Sequence, residues 1–327
     1  MYINIPIDFS GAFLYNILII KRQYFQSTPN KLNMDFNEFC NSVRDGIADH
    51  LPEYDISCVE IRDIRKNNDV VCTGVLIMLE GASVSPNIYL DYYYRLYQNG
   101  TMMSEILAEI ADEFRRAESF VKEKQFEGYK QDDFEHKVFL RLVNYEKNKE
   151  LLADCPHLCF EDLAICFRYL AGEDRHGVSS TLVKNRDIDR LGLSLEELYK
   201  MAEANTRRIF PVELVRLDEL LKRMSCVFED NPFSNNIYVL TNRQNVNGAT
   251  CLLFRDVVEG FAKKHDTSFY VLPASVHEVM FVPVCEQIEK ENLEAMVREI
   301  NEYVVSDMDF LSNHVYYYDK KAKKLTA

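Results

Sequence analysis

The chain has 327 residues, of which 47% are hydrophobic, and its 52 acidic side chains outnumber 38 basic ones to give a formal net charge of −14. That much apolar material builds one large or two ordinary domains and excludes general disorder, while the negative field argues against nucleic acid and anionic membrane surfaces as partners. Nine cysteines, an odd number in a chain large enough to be held by its core, point to reduced thiols and a cytoplasmic home.

Phe9 to Ile20 is the one apolar run that resembles a targeting segment. Its basic pair, Lys21 and Arg22, follows the run instead of preceding it, and twelve helical residues span only about 18 Å of a hydrocarbon core of about 30 Å. Met34 opens a polar and then periodic segment, so residues 1–33 read as an upstream extension or a misassigned start, dispensable for folding.

From Asp35 the residues Phe36, Phe39, Val43, Ile47 and Leu51 recur at three- and four-residue spacing, which predicts a helix that Pro52 stops. Ile56–Ile64 and Val70–Leu79, separated by Lys66-Asn67-Asn68-Asp69, predict a β-hairpin. A short tyrosine-rich helix follows Leu90, and a long one runs from Thr101, as N-cap, to about Lys124. Strands are predicted over His136–Asn144, Phe160–Leu170 and Val178–Val183. Ser194 and Glu197 then make a capping box for a helix through Ile209, and Leu214–Val227 reads as another helix.

The cluster Glu229 to Asn236 marks a boundary that divides residues 34–228 from a C-terminal unit over 236–320. That unit reads as strands Ile237–Thr241 and Ala249–Phe254, helix Asp256–His265, strands Ser268–Leu272 and Val276–Val282, helix Glu289–Val304 and strand His314–Tyr318. The order ββαββαβ predicts a mostly antiparallel sheet with two packed helices, and the whole chain is expected to be α+β. Lys320, Lys321, Lys323 and Lys324 belong to a basic, solvated tail.

Several phrases resemble a bacterial domain-of-unknown-function family, numbered fifty-six eighty-eight. They are Tyr238-Val239-Leu240-Thr241-Asn242, Asn247-Gly248-Ala249, the run Phe269 to Val279 and the run Leu311 to Tyr316, with Leu142 to Asn148 and Tyr89 to Tyr93 earlier in the chain. The resemblance covers Met34 to Asp319 and implies a bacterial, intracellular protein, but it carries no activity with it.

Gly172 and Gly177 have the spacing of a phosphate loop, yet Val178 and Ser179 follow Gly177, so the essential lysine is missing. Cys155, His157 and Cys159 offer zinc-type ligands, with Cys166 and His176 as local candidates for a fourth, but no second spaced pair accompanies them. No cofactor and no metal are therefore expected. The tyrosines at 92–94 and 316–318 suit packing better than a stacking platform, since alternation puts Tyr316 and Tyr318 on one face of a strand. Asn247-Gly248 predicts a turn with positive φ between two strands. The pairs Asp132-Asp133 and Asp307-Asp309 fall at linker or helix-start positions.

His277-Glu278 is the most suggestive pair, a histidine beside a carboxylate. On a strand the two point to opposite faces, His277 with Val279 and Phe281 and Glu278 with Met280, and Ser275 sits about 6.6 Å away, beyond hydrogen-bond reach. The leading expectation is a non-catalytic binding or regulatory module for a protein or small-molecule ligand. The alternative is a hydrolase-like enzyme whose site is assembled on the C-terminal sheet, with Asn242, Ser275, His277, Glu278 and His314 as candidate residues.

Overall fold

The computed structural model describes residues 34–82, 85–124, 131–174, 177–223, 236–285 and 288–327. The readings of residues 1–33, of His176 and of nearly all of the Glu229–Asn236 boundary lie outside the described residues.

Helix α1 (Phe36–Gly46) starts where Asp35 and Glu38 cap each other's amides at 2.8 and 2.9 Å, which satisfies two N-terminal donors at once. Strands β1 (Ile56–Arg65), β2 (Val71–Leu79) and β3 (Asn87–Tyr89) form an antiparallel sheet in that order. Helices α2 (Leu90–Gln98) and α3 (Met103–Lys124) join α1 on one face, where Phe39, Val43, Val75, Ile77, Ile110 and Phe114 share a buried cluster. Thr101 is not the N-cap of α3. The helix begins at Met103, and the Met102 amide is taken by Glu105 at 3.3 Å.

The second sheet follows α4 (Gln131–Lys137) and consists of β4 (Val138–Asn144), β5 (His157–Phe160), β6 (Leu163–Asp174) and β7 (Gly177–Leu182), with the one-turn helix α5 (Lys149–Leu152) between β4 and β5. Strand β6 is central, paired with β4 on one side and with β5 and β7 on the other. The expected strand from His136 therefore starts two residues late, after a helix. The expected strand Phe160–Leu170 is instead a hairpin that turns at Glu161, whose φ is 53°. After α6 (Asn185–Leu191), the predicted capping box opens α7 (Leu195–Ile209). The outward amides of β4 do not stay bare. Leu140 donates to Thr206 Oγ1 of α7 at 2.9 Å, and Leu142 donates to Thr250 Oγ1 at 3.1 Å, which satisfies an edge that would otherwise invite pairing.

The third sheet contains β8 (Val212–Arg216), β9 (Tyr238–Asn242), β10 (Phe269–Ser275), β11 (Glu278–Pro283), β12 (Tyr316–Asp319) and β13 (Lys324–Thr326). Its order is β13-β12-β10-β11-β9-β8, and every pairing is antiparallel. Helices α8 (Leu217–Arg223), α9 (Arg255–His265) and α10 (Lys290–Tyr303) connect the strands. Three expectations fail here. Leu214 belongs to β8 and pairs with Leu240 of β9, so only its C-terminal neighbours are helical. Ala249–Phe254 is not a strand, because Gly248–Leu253 winds as a buried 3-10 helix, and a continuous apolar run has no period by which to tell the two apart. The lysine-rich tail stays exposed at Lys321, Lys323 and Lys324, yet it adds β13 to the sheet edge.

Alternation along β10 and β11 serves two cores. Val271, Val279 and Phe281 face α9 and the second sheet, while Leu272, Met280 and Val282 face Leu293 and Val297 of α10.

An asparagine network fastens the first sheet to the other two. At the β1–β2 turn Asn68 takes a left-handed φ of 58° and donates from Nδ2 to Asp307 O and Phe310 O at 2.8 and 2.7 Å. Its amide donates to Asn148 Oδ1 at 2.9 Å, Asn148 Nδ2 donates back to Asn68 Oδ1 at 2.8 Å, and Asn144 Nδ2 donates to Leu311 O at 2.9 Å. Asn68→Ala is expected to lower stability by about 2–3 kcal/mol, from lost hydrogen bonds and a left-handed backbone that alanine tolerates poorly, and to speed amide exchange across 307–311. Unchanged exchange in that segment would count against the network as the fastening.

Candidate functional site

The loop that Asn68 grips runs from Ser306 to Asn313 and carries Asp309 against the β10–β11 turn. His277 lies in that turn and not in a strand, since β10 ends at Ser275 and β11 begins at Glu278. The residue is only 5% exposed. Its Nδ1 accepts the Asn247 amide proton at 3.2 Å, so the ring proton sits on Nε2, which lies 3.2 Å from Asp309 Oδ1. The other oxygen of Asp309 accepts from Ser306 Oγ at 2.7 Å. Around the ring, the His277 amide donates to Ser275 Oγ at 3.0 Å, and Thr241 Oγ1 donates to His277 O at 2.9 Å. The main chain adds Val276 N–H to Asp309 O at 2.8 Å. The Ser275 hydroxyl thus meets the His277 amide and not its ring, because the turn brings that amide back over Ser275.

Glu278 opens β11, where strand alternation puts it on the face of Met280. Its side chain is buried, its Oε1 has no hydrogen-bond partner, and burial pushes its carboxyl up to about 7, with His277 pulling down and Asp309 pushing up in smaller measure. Burial also pushes Asp309 up, but its bonds from His277 and Ser306 and the charge of Arg141 outweigh that, and the net shift is below the ordinary 3.8.

Asn242 is 1% exposed and acts locally. Nδ2 donates to Val246 O at 2.7 Å, and Oδ1 accepts the amides of Gln244 and Val246 at 3.1 and 3.3 Å, which shapes the turn leading to Asn247. Asn247 has the expected positive φ, 53°, but Gly248 is required for a different reason. A Cβ on it would lie 2.3 Å from both His277 O and Thr241 Oγ1.

His314 stands apart. It precedes β12 instead of lying in a strand, and its side chain is 62% exposed with Nδ1 3.7 Å from Asp162 Oδ2. Asp162 accepts from Ser312 Oγ at 2.6 Å and from the Tyr316 hydroxyl at 2.5 Å. The structure therefore groups Ser275, His277 and Glu278 in one hairpin with Asn242 in the neighbouring turn, and it assigns His314 to a separate polar cluster. Asp309, Asp162 and Arg141 were not singled out as site residues by their sequence context. The Ser306–Asp309 spacing, a hydroxyl three residues before a carboxylate, is a local signal for Asp309 beside the Asp307-Asp309 pair.

The other motifs resolve into structure. Gly172 and Gly177 lie in the β6–β7 hairpin, not between a strand and a helix. Cys155 is buried and donates to Leu151 O at 3.1 Å, His157 Nδ1 lies 3.0 Å from Cys155 O, and Cys159 is exposed on β5. Among the described residues no group of three or more His, Cys, Asp or Glu side chains is placed to hold a metal ion. Tyr93, Tyr316 and Tyr318 are buried, while Tyr92 is exposed.

Fold and site together define an α+β protein of three antiparallel sheets whose central polar junction is built from buried, mutually bonded side chains. The chain belongs to DUF5688, a family of unknown function that matches residues 36–320. No curated protein and no solved structure matches it. No helix among the described residues is long and apolar enough to cross a membrane.

Proposed function

We propose that the chain is a non-catalytic binding or regulatory protein. One observation carries this reading: both ring nitrogens of His277 are taken by the chain's own groups, the Asn247 amide and Asp309. A general base needs a nitrogen lone pair within reach of the proton it removes, and this ring has spent its only one on a backbone donor. Ser275 and Asn242 are equally unsuited to attack or to stabilise a substrate, being 0% and 1% exposed.

The hydrolase alternative keeps one observation in its favour, the exposed His314 beside Asp162, a carboxylate that can orient an imidazole. The test screens wild type, His277→Ala and His314→Ala against esterase, phosphatase, nuclease and peptidase substrates. His277→Ala is expected to lower stability by about 1–3 kcal/mol through the stranded Asn247 amide and Asp309 carboxylate, and His314→Ala to change it by less than about 0.5 kcal/mol. No turnover is expected that either variant abolishes. A reproducible activity lost in a variant with an unchanged melting temperature defeats the binding reading and promotes the enzyme.

A further inference from the structure

We infer that Arg141 is the anchor of a binding site for a compact oxyanion, a phosphate or carboxylate group, on the face of the middle sheet turned away from the main core. This rests on the binding-module reading for its biological sense and names the class of ligand that such a module takes.

The placement follows from the strand register. Along β4, Leu140 and Leu142 enter the main core, so Arg141 shares the opposite face with Phe139 and Val143. Ladder partners project from the same face, and the register puts Arg141 opposite Cys166 and Cys166 opposite His157. Arg168, two residues along β6, lies on that face too, with its Nε and Nη2 donating to Ser180 Oγ and Ser180 O at 2.8 and 2.7 Å. Two guanidinium groups and an imidazole thus line one side of the sheet, and both arginines are near enough to Cys166 to draw its thiol toward ionisation against the dominant effect of burial.

Arg141 itself is half-buried, and its Nε is shielded from solvent with no hydrogen-bond partner. No carboxylate among the described residues lies within ion-pair distance of it. Asp309 is close enough to feel the guanidinium's charge, but its two oxygens already accept from His277 and Ser306. Among the described residues this cation has no ion-pair partner, while one of its donors is desolvated. Desolvation of a charged donor is unfavourable unless a partner arrives, and the planar fork of arginine suits two oxygens of a carboxylate or phosphate. The neighbours Phe139, Val143 and Cys166 supply apolar walls that strengthen such a bond.

The site also touches the junction described above. Val246 packs on the cluster that contains Phe139, and the adjacent Asn247 holds His277. An anion at Arg141 thereby sits beside the loop whose position depends on the His277–Asp309 bond, which gives binding a route to the first sheet through Asn68.

The test uses the full chain in a buffer free of phosphate and carboxylate, with ionic strength held constant by sodium chloride. Inorganic phosphate forms one arm and succinate the other, each at up to about 10 mM, which saturates a site of millimolar affinity. A saturable rise in melting temperature and a calorimetric isotherm are expected for one or both anions, and the arm that responds identifies the source. Arg141→Met is expected to fold, to melt at or above the wild-type temperature without anion, and to weaken binding at least tenfold. Arg141→Lys, which keeps the charge without the fork, should bind with intermediate strength and guards against a fold defect in the first variant. No saturable response to either anion, or binding unaltered in Arg141→Met, overturns the site and leaves the non-catalytic reading standing on its own screen.

Discussion

Gly248→Ala should cost about 3 kcal/mol or more and reduce the soluble yield of the protein. The added Cβ would lie 2.3 Å from His277 O, 2.3 Å from Thr241 Oγ1 and 2.9 Å from Thr241 Cα. Two of those three atoms are backbone, so no rotamer change relieves the contact. Either the β10–β11 turn moves off the 3-10 helix or Thr241 gives up its bond to His277 O. Overpacking of a filled core costs about 1–3 kcal/mol, and breaking a buried hydrogen bond adds about 1–3 kcal/mol. Gly260 of α9 supplies the contrast, since a Cβ there meets nothing within 4 Å. Gly260→Ala should therefore stabilise by about 0.5–1 kcal/mol, as expected for a helical glycine. Urea unfolding of both variants checks the pair. A Gly248→Ala midpoint equal to wild type would show that the close approach is not needed.

Glu278→Gln should stabilise the protein at pH 8 by about 3 kcal/mol and leave it nearly unchanged near pH 4. The carboxyl is buried with its Oε1 unpartnered and titrates near 7 in the folded chain, against 4.5 as its ordinary value. Because the folded value is the higher one, the native state holds a proton that the unfolded chain has already released. The stability associated with that proton is fully present below about pH 4.5. It falls away as pH rises through about 7 and is absent above. A difference of about 2.5 units at about 1.4 kcal/mol each sets the size of the effect. His277 and Asp309 are the titratable neighbours that act on Glu278. Asp309 contributes with the opposite sign, since its net shift is downward. Its stabilisation is present above about pH 4 and is lost as pH falls further. Burial also raises Glu113 and lowers His265, so Glu278 is read from the difference between the wild-type and Glu278→Gln profiles over the interval from about 4.5 to about 7.5. Wild type should lose stability relative to Glu278→Gln across that interval. Parallel profiles for the two proteins would remove the buried proton from the account.

The Glu278 and Gly248 effects meet at one place, the β10–β11 turn. There a glycine lets Thr241 approach, the Asn247 amide fixes the imidazole tautomer, and Asp309 closes the ring's other side. None of these partners is a near neighbour of His277 in sequence, apart from Ser275. The pair His277-Glu278 drew attention as adjacent acid–base residues. The structure separates them, one into a hydrogen-bonded turn and the other into an apolar face.

Elements with a clear local period could be read from the chain alone. The capping box at Ser194, the stripes of α1, α3, α9 and α10, and the β1–β2 hairpin depend on interactions within a few residues, so their signals are written in neighbouring positions. The α+β class followed from the mixture of helical and alternating patterns. What the tertiary structure decided were elements whose local pattern is ambiguous and contacts that cross the chain. Gly248–Leu253 has no periodicity to mark it as helical, and only its place beneath the β10–β11 turn selects that form. Leu214 became a strand residue because β9 offered it an edge, and Lys324–Thr326 became β13 because β12 offered another. The junction lay furthest from view. Asp309 is 32 residues from His277 and Asn68 is 239 from Asp307, and hydrogen bonds at that separation exist only once packing has already brought the sheets together.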